Sequence, residues 1–174
     1  MSPIQKKVCL LGDFAVGKTS LVRRFVEGIF DEKYLSTIGT RISRRALTLE
    51  RAGQAVELTL LIWDLAGGER FSQVMESYYR GAAGAMLVCD LTRPETLKAL
   101  RDYAEDFWSV NPQAPLVLVG NKVDLTDQRA LSDQDLATIA GQCQAPWFTS
   151  SARTGENVER AFRLLGERMI LSLL

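Results

Sequence analysis

The sequence predicts a doubly wound α/β fold: a six-stranded, mostly parallel sheet with one antiparallel edge strand and helices on both faces. Short apolar runs rich in β-branched residues recur at 8–11, 58–63, 85–89, 116–119 and 147–148, with segments of helical period between them. Strands that alternate with helices pair in parallel and are covered on both faces. The run at 42–50 differs, because Arg51-Ala52-Gly53-Gln54 leads straight into the next strand. That is hairpin spacing, and it adds the antiparallel edge pair. No internal repeat or low-complexity tract interrupts the pattern. With 174 residues, one core of ordinary size accounts for the chain, so residues 1–174 are expected to form one domain.

Helices are expected after Gly17, after Gly68, over 94–110, over 132–142, and from Gly155 towards the C-terminus. Pro94 suits a first helical turn, where the missing N–H needs no partner, and Ser132 offers a hydroxyl cap. Leu97, Leu100, Ala104, Phe107 and Trp108 recur at spacings of three and four, one stripe that belongs against the sheet.

Bulk composition removes several classes of function. Lys plus Arg and Asp plus Glu each total 21, so no net positive field draws the domain onto nucleic acid or acidic lipid. The chain has no histidine, which excludes a histidine general base, a His-containing triad and every His-ligated zinc site. Cys9, Cys89 and Cys143 lie far apart without CxxC spacing, so buried reduced thiols are expected. Residues 1–7 lack the apolar region of a signal peptide, and no stretch reaches the length of a membrane span. A cytoplasmic location follows, with any membrane contact made through partners.

In a doubly wound sheet, ligands sit beyond the carboxyl ends of the strands. The informative motifs fall there. Gly12-Asp13-Phe14-Ala15-Val16-Gly17-Lys18-Thr19 fits the pattern GxxxxGK followed by Ser or Thr, directly after an apolar strand and before an amphipathic helix. Its glycines allow backbone N–H groups to turn inward around an anion, and the following helix adds its positive end. Lys18 can neutralise β and γ phosphates, and the Thr19 hydroxyl can face Mg2+.

Asp64-Leu65-Ala66-Gly67 follows the strand at 58–63, placing a carboxylate near such a metal and a glycine amide near a γ phosphate. Alone it is also the pattern of an ordinary Asp-led turn. Asn121-Lys122-Val123-Asp124 follows the strand at 116–120. A carboxylate at Asp124 can accept from guanine N1–H and the 2-amino group, a pair that adenine does not present. Leaving that carboxylate unpaired is what would reject adenine nucleotides. Asn121 can bridge base and loops, and the Lys122 stem can lie over the ring.

With these loops together, residues 7–168 resemble a Ras-superfamily small GTPase, and within that superfamily the Rab branch most. The resemblance implies the P-loop GTPase fold, with GTP and GDP as ligands and Mg2+ as cofactor. By it, Asp13, Phe14, Ala15, Val16, Gly17, Lys18, Thr19 and Ser20 surround the phosphates, joined by Tyr34 and Gly67. Thr37, in Ser36-Thr37-Ile38-Gly39, becomes a metal ligand when a γ phosphate is present, beside Thr19 and Asp64. Guanine is met by Phe30, Asn121, Lys122 and Asp124, and by Ser151-Ala152-Arg153-Thr154-Gly155, where Arg153 replaces the family's lysine. The Rab likeness rests on Ser36-Thr37-Ile38-Gly39, Trp63, Glu69-Arg70-Phe71 and Tyr78-Tyr79-Arg80-Gly81-Ala82. It breaks at Thr40-Arg41-Ile42, where the branch has Val-Asp-Phe. Charge therefore changes on a surface that meets effectors.

Two departures bear on catalysis, which the resemblance assigns to Lys18, Thr37 and the position of Gly68. The family's Asp-x-Ala-Gly-Gln-Glu reads Asp64-Leu65-Ala66-Gly67-Gly68-Glu69, so Gly68 stands where a glutamine orients the attacking water. A glycine positions nothing, and slow intrinsic hydrolysis with intact binding is expected. Glu69 is a poor replacement base if exposed. Phe14 stands where the family has a small residue. Its ring either crowds a partner's arginine finger or turns outward over the loop.

The leading reading is a nucleotide-controlled switch whose segments around Thr37 and from Gly67 to Tyr79 order on γ-phosphate contacts. It implies effectors, an exchange factor and an activating protein as partners. A second reading is a scaffold that stays loaded with GTP because Gly68 disables hydrolysis. A P-loop metabolic kinase is disfavoured by Asn121-Lys122-Val123-Asp124. The sequence ends Met169-Ile170-Leu171-Ser172-Leu173-Leu174 without a cysteine to prenylate, so no direct membrane anchor is expected in these residues. If they are the whole chain, that ending suits a prokaryotic relative of the Rab branch.

Overall fold

A computed structural model describes residues 4–30, 40–65 and 73–171. In chain order the elements are β1 (Ile4–Leu11), α1 (Lys18–Glu27), β2 (Thr40–Arg51), β3 (Gln54–Leu65), α2 (Gln73–Tyr79), β4 (Ala82–Asp90), α3 (Pro94–Val110), β5 (Leu116–Asn121), α4 (Asp133–Gln142), β6 (Trp147–Thr149) and α5 (Val158–Leu171). A short 3-10 turn at Thr126–Gln128 lies between β5 and α4. The six strands form one sheet in the order β2-β3-β1-β4-β5-β6, and β2 alone runs antiparallel to its neighbour. This is the predicted architecture.

Period-two alternation sorts the strand residues between two cores. From β1, Val8 and Leu10 face the layer made by α1 and α5, with Leu21, Val22, Phe25, Phe162 and Leu165. Cys9 and Leu11 face the layer made by α2, α3 and α4, with Tyr79, Leu97, Leu100, Phe107 and Leu136. The central strands are buried on both sides, which is why they read as unbroken apolar runs. The predicted α3 stripe packs inward as expected, with Leu97, Leu100, Ala104 and Phe107 buried and Trp108 half-buried. All three cysteines are free and buried, and burial pushes the Cys9 and Cys89 thiols up to about 12.

Local signals explain most boundaries. Ser132 caps α4 through a reciprocal box: its hydroxyl accepts from Asp135 N at 3.1 Å, and Asp135 accepts from Ser132 N at 2.8 Å. The hairpin turns at Ala52 and Gly53, both left-handed at φ 51 and 79, directly after the paired residues Arg51 and Gln54. Strand β1 starts at Ile4, earlier than its apolar run, because its ladder to β3 continues through Gln5, Lys6 and Lys7. Helix α5 starts at Val158 rather than at Gly155. Gly155 and Asn157 are left-handed at φ 89 and 59, and Asn157 Nδ2 donates to Thr149 O at 2.8 Å, which keeps this stretch a turn.

The edge hairpin is fastened to the helical layer by one column of contacts. Phe25 of α1 stacks on Phe162 of α5 with centroids 4.1 Å apart, and the Arg45 guanidinium lies 4.3 Å from the Phe25 ring. Arg45 also forms two hydrogen bonds to Glu159, at 2.6 and 2.7 Å. Those bonds and the nearby Arg45 and Arg163 charges hold the Glu159 carboxyl below its ordinary 4.5, against a counteracting effect of burial. A depressed carboxylate adds stability above its unfolded value and loses it as pH falls through the folded one. The stability of the parent should therefore fall below pH 4.5 more steeply than that of Glu159→Gln, with thermal melts across that range as the measurement. Identical slopes would show the pair to be idle.

Candidate functional site

The carboxyl ends of the parallel strands bring Gly12, Asp90, Asn121 and Ser150 to one rim of the sheet. Strand β1 lies between β3 and β4, and the chain builds outward from it in both directions. The loop after β1 therefore opens where the strand order reverses, the crevice in which such sheets bind ligands.

That loop, residues 12–17, is fixed by its carbonyls. Phe14 O accepts from Arg93 at 2.9 Å, Ala15 O from Lys122 Nζ at 2.9 Å, and Val16 O from Asn121 Nδ2 at 3.0 Å. In a trans peptide the N–H points opposite to the C=O. Each carbonyl drawn towards a side chain thus turns the following amide, of Ala15, Val16 or Gly17, the other way. Gly17 is left-handed at φ 101, and a Cβ there would stand 2.3 Å from Asn121 Nδ2, so only glycine fits. Helix α1 begins at the next residue, adding its unpaired N-terminal amides.

Lys18 is 6% exposed and donates to Gly12 O at 2.9 Å and Asp13 O at 3.3 Å. Burial lowers its pKa to about 8, with Asp64 and Asp13 opposing the shift. Thr19 donates its hydroxyl to Asp64 Oδ2 at 2.6 Å, and Asp64 is 1% exposed. A hydroxyl and a carboxylate, both hard oxygen donors, thus stand together beside the loop. Among the described residues no group of three His, Cys, Asp or Glu residues could hold a metal alone. The pair fits Mg2+, which keeps several waters and shares its coordination with phosphates. Ser20 is half-buried in the first turn of α1.

At the other end of the rim, Asn121 joins three segments. Its Nδ2 reaches Val16 O, while Oδ1 accepts from the Ser150 hydroxyl at 3.1 Å and from Ala152 N at 3.3 Å. Lys122 is left-handed at φ 73, and its ammonium lies 2.9 Å from Asp90 Oδ2 as well as bonding to Ala15 O. Asp90 is held in turn by Thr92, whose N–H and hydroxyl both donate to Oδ1. Asp124 Oδ1 accepts from Ser151 Oγ at 2.8 Å, and among the described residues no donor meets its second oxygen.

The structure therefore brings together Asp13, Ala15, Val16, Gly17, Lys18, Thr19, Asp64, Asn121, Lys122, Asp124, Ser151 and Ala152. Phe30 is half-buried and packs against the α1–α5 core, and the Arg153 side chain is exposed. The Phe14 ring turns outward and is 54% exposed. Tyr34, Thr37, Gly67 and Gly68 lie outside the described residues, as do Ser36, Ile38, Gly39 and Glu69-Arg70-Phe71. Four supporting residues belong to no motif in the sequence: Asp90, Arg93, Arg24, and Tyr103, whose hydroxyl donates to Asp13 Oδ1 at 3.0 Å. Asp90 alone left a signal, as the first polar residue after an apolar strand that ends at the crevice.

This fold and these loops define a P-loop α/β protein. The Ras family profile matches residues 7–171. The chain is 35% identical over 170 residues to the Ras-related protein RabJ of Dictyostelium discoideum, covering 97% of this chain and 65% of that protein. It is 38% identical over 165 residues to the Ras-related protein Rab-22A of Mus musculus, covering 94% and 82%. The chain belongs to the Ras family of small GTPases, as a Rab-like member, and it spans 65% of the length of RabJ. No helix among the described residues is long and apolar enough to cross a membrane.

Asn121→Ala should strand the Val16 carbonyl and the Ala152 amide in a buried setting, at about 1–3 kcal/mol for each group left unpaired. Urea unfolding of the nucleotide-free protein measures this. A variant as stable as the parent would mean that other contacts hold the loops.

Proposed function

We propose that the chain is a guanine-nucleotide-controlled switch, residues 1–174 acting as one G domain that alternates between GTP and GDP with slow intrinsic hydrolysis. The observation that carries this reading is the Asn121 side chain, which joins the loop at 12–17 to the loop at 151–153. A phosphate cradle and a base pocket on one framework make a site for a whole nucleotide.

In this reading the amides of residues 13–19 and the Lys18 ammonium hold the β and γ phosphates. Asp13 and Phe14 contribute backbone, and the family likeness adds Tyr34 and Gly67 to the phosphate-binding set. Thr19 and Asp64, joined by Thr37, hold Mg2+, which neutralises phosphate charge when bound. The second oxygen of Asp124 accepts from the guanine edge. The 151–153 backbone meets the base carbonyl, and Phe30 and Lys122 flank the ring. Adenine leaves the Asp124 carboxylate without its donors, a mismatch that can be worth on the order of ten-thousandfold in such sites. Calorimetry with Mg2+ should show GDP binding far more tightly than ADP; equal affinities would overturn the assignment.

Partners read the state of the segments that contact the γ phosphate. Ile42 is 56% exposed on β2 and pairs with Trp63, whose ring lies 6.2 Å from Tyr78. This apolar face, with Arg44 on the same side of β2, is where effectors, an exchange factor and an activating protein would dock. The Phe14 ring turns outward, the orientation expected if it covers the loop and does not crowd a partner's arginine finger.

Hydrolysis is slow because Gly68 offers no side chain to orient water, and misplaced reactants lose on the order of a hundredfold in rate. Gly68→Gln should raise single-turnover GTP hydrolysis by about that factor while leaving nucleotide affinity unchanged. No acceleration would count against this account of Gly68. The same absence favours a second reading, a scaffold that stays loaded with GTP. Protein that purifies with GTP bound and turns none of it over would support it.

A further inference from the structure

Arg24 belongs to none of the sequence motifs, yet its guanidinium is divided among three backbone carbonyls. From α1, Nε donates to Ala152 O at 2.8 Å, one terminal nitrogen donates to Arg153 O, and the other donates to Gly28 O at 3.3 Å. Its own carbonyl accepts from Gly28 N at 3.0 Å, where α1 ends in the left-handed conformation. The neighbouring arginines behave differently. Arg23 pairs with Glu27 at 3.6 Å, and Arg45 grips Glu159. Among the described residues no carboxylate pairs with Arg24, and its three hydrogen bonds all go to backbone carbonyls.

The consequence lies in the direction of the next amide. Holding Ala152 O towards α1 turns the N–H of Arg153 the opposite way, because the peptide is trans. The N–H of Ala152 is already directed at Asn121 Oδ1. Asn121 and Arg24 thus orient two successive amides of one loop from opposite sides, and Arg24 also anchors the end of α1 two residues before Phe30. Gly155 completes the arrangement: a Cβ there would lie 3.8 Å from the Arg24 side chain, so the loop closes directly over the guanidinium.

We propose that Arg24 is the positioning residue of the base pocket, aiming the Arg153 amide at the 6-oxo group of the bound purine and so setting the preference for a base that carries one. This rests on the guanine-binding reading given above. Arg24 touches neither base nor phosphate, and its effect passes through the loop that it holds.

Calorimetry of the full chain with GDP and with 2-aminopurine riboside diphosphate, which keeps the 2-amino group and lacks the 6-oxo group and the N1 proton, tests it, the N1 difference being common to parent and variant. Arg24→Ala should weaken GDP by about tenfold to a hundredfold, the loss expected when a charged donor no longer holds its acceptors. The 2-aminopurine compound should weaken by less than about threefold, since it has no oxo group to meet the aimed amide. Arg24→Lys, whose compact ammonium cannot span three carbonyls, should recover only part of the GDP affinity. Should the alanine variant fail to fold, the lysine variant carries the same comparison. Equal losses for both nucleotides would show that Arg24 merely supports the fold, and an unchanged GDP affinity would show the contact to be idle; either overturns the inference. A parent that binds ADP as tightly as GDP overturns the underlying reading as well, which separates the two failures.

Discussion

A loop that is to surround an anion with its amides must first send its carbonyls elsewhere, and those carbonyls need donors of their own. Here the donors come from across the sheet. Asn121 and Lys122 at the end of β5, and Arg93 at the start of α3, take the carbonyls of Val16, Ala15 and Phe14. This works because β4 lies next to β1 and β5 next to β4, all parallel, so the two loops that follow β4 and β5 reach the same rim as the loop after β1. The strand order is therefore a condition of the chemistry as well as of the packing.

The same contacts explain why the two ends of the crevice act together. Asn121 is 2% exposed and serves three partners at once, so it cannot let go of one loop without disturbing another. Lys122 repeats the pattern with Ala15 O and Asp90. On the functional reading proposed above, residues that appear to belong to base recognition also set the shape of the phosphate loop. Lys18, buried among carbonyls with its pKa drawn down to about 8, sits in a setting where an incoming polyphosphate favours its charged form.

Much of this was legible in the sequence, and the division has a physical cause. The strands were readable because a strand buried on both faces must be apolar throughout, and 116–119 or 85–89 admit little else. The Gly12-to-Thr19 and Asn121-to-Asp124 motifs were readable because their chemistry depends on local spacing. Arg24, Arg93 and Tyr103 were not readable. Two of them donate to backbone carbonyls, which any residue supplies, and all reach across gaps in the chain that leave no spacing to detect. The start of α5 was misplaced for a related reason. Left-handed Gly155 and Asn157 hold a turn whose stability comes from Thr149, in another element.

Strands β2 and β3 stay in register from Arg51 and Gln54 at the turn to Thr40 and Leu65 at the far end. Thr40 and Leu65 are also the points where the chain enters from 31–39 and departs into 66–72. Both stretches are thus hung from a single rung of a twelve-residue ladder. That rung sets Thr40 and Leu65 against each other, so the hairpin keeps both its open ends together at one edge of the sheet, twelve paired residues from its turn.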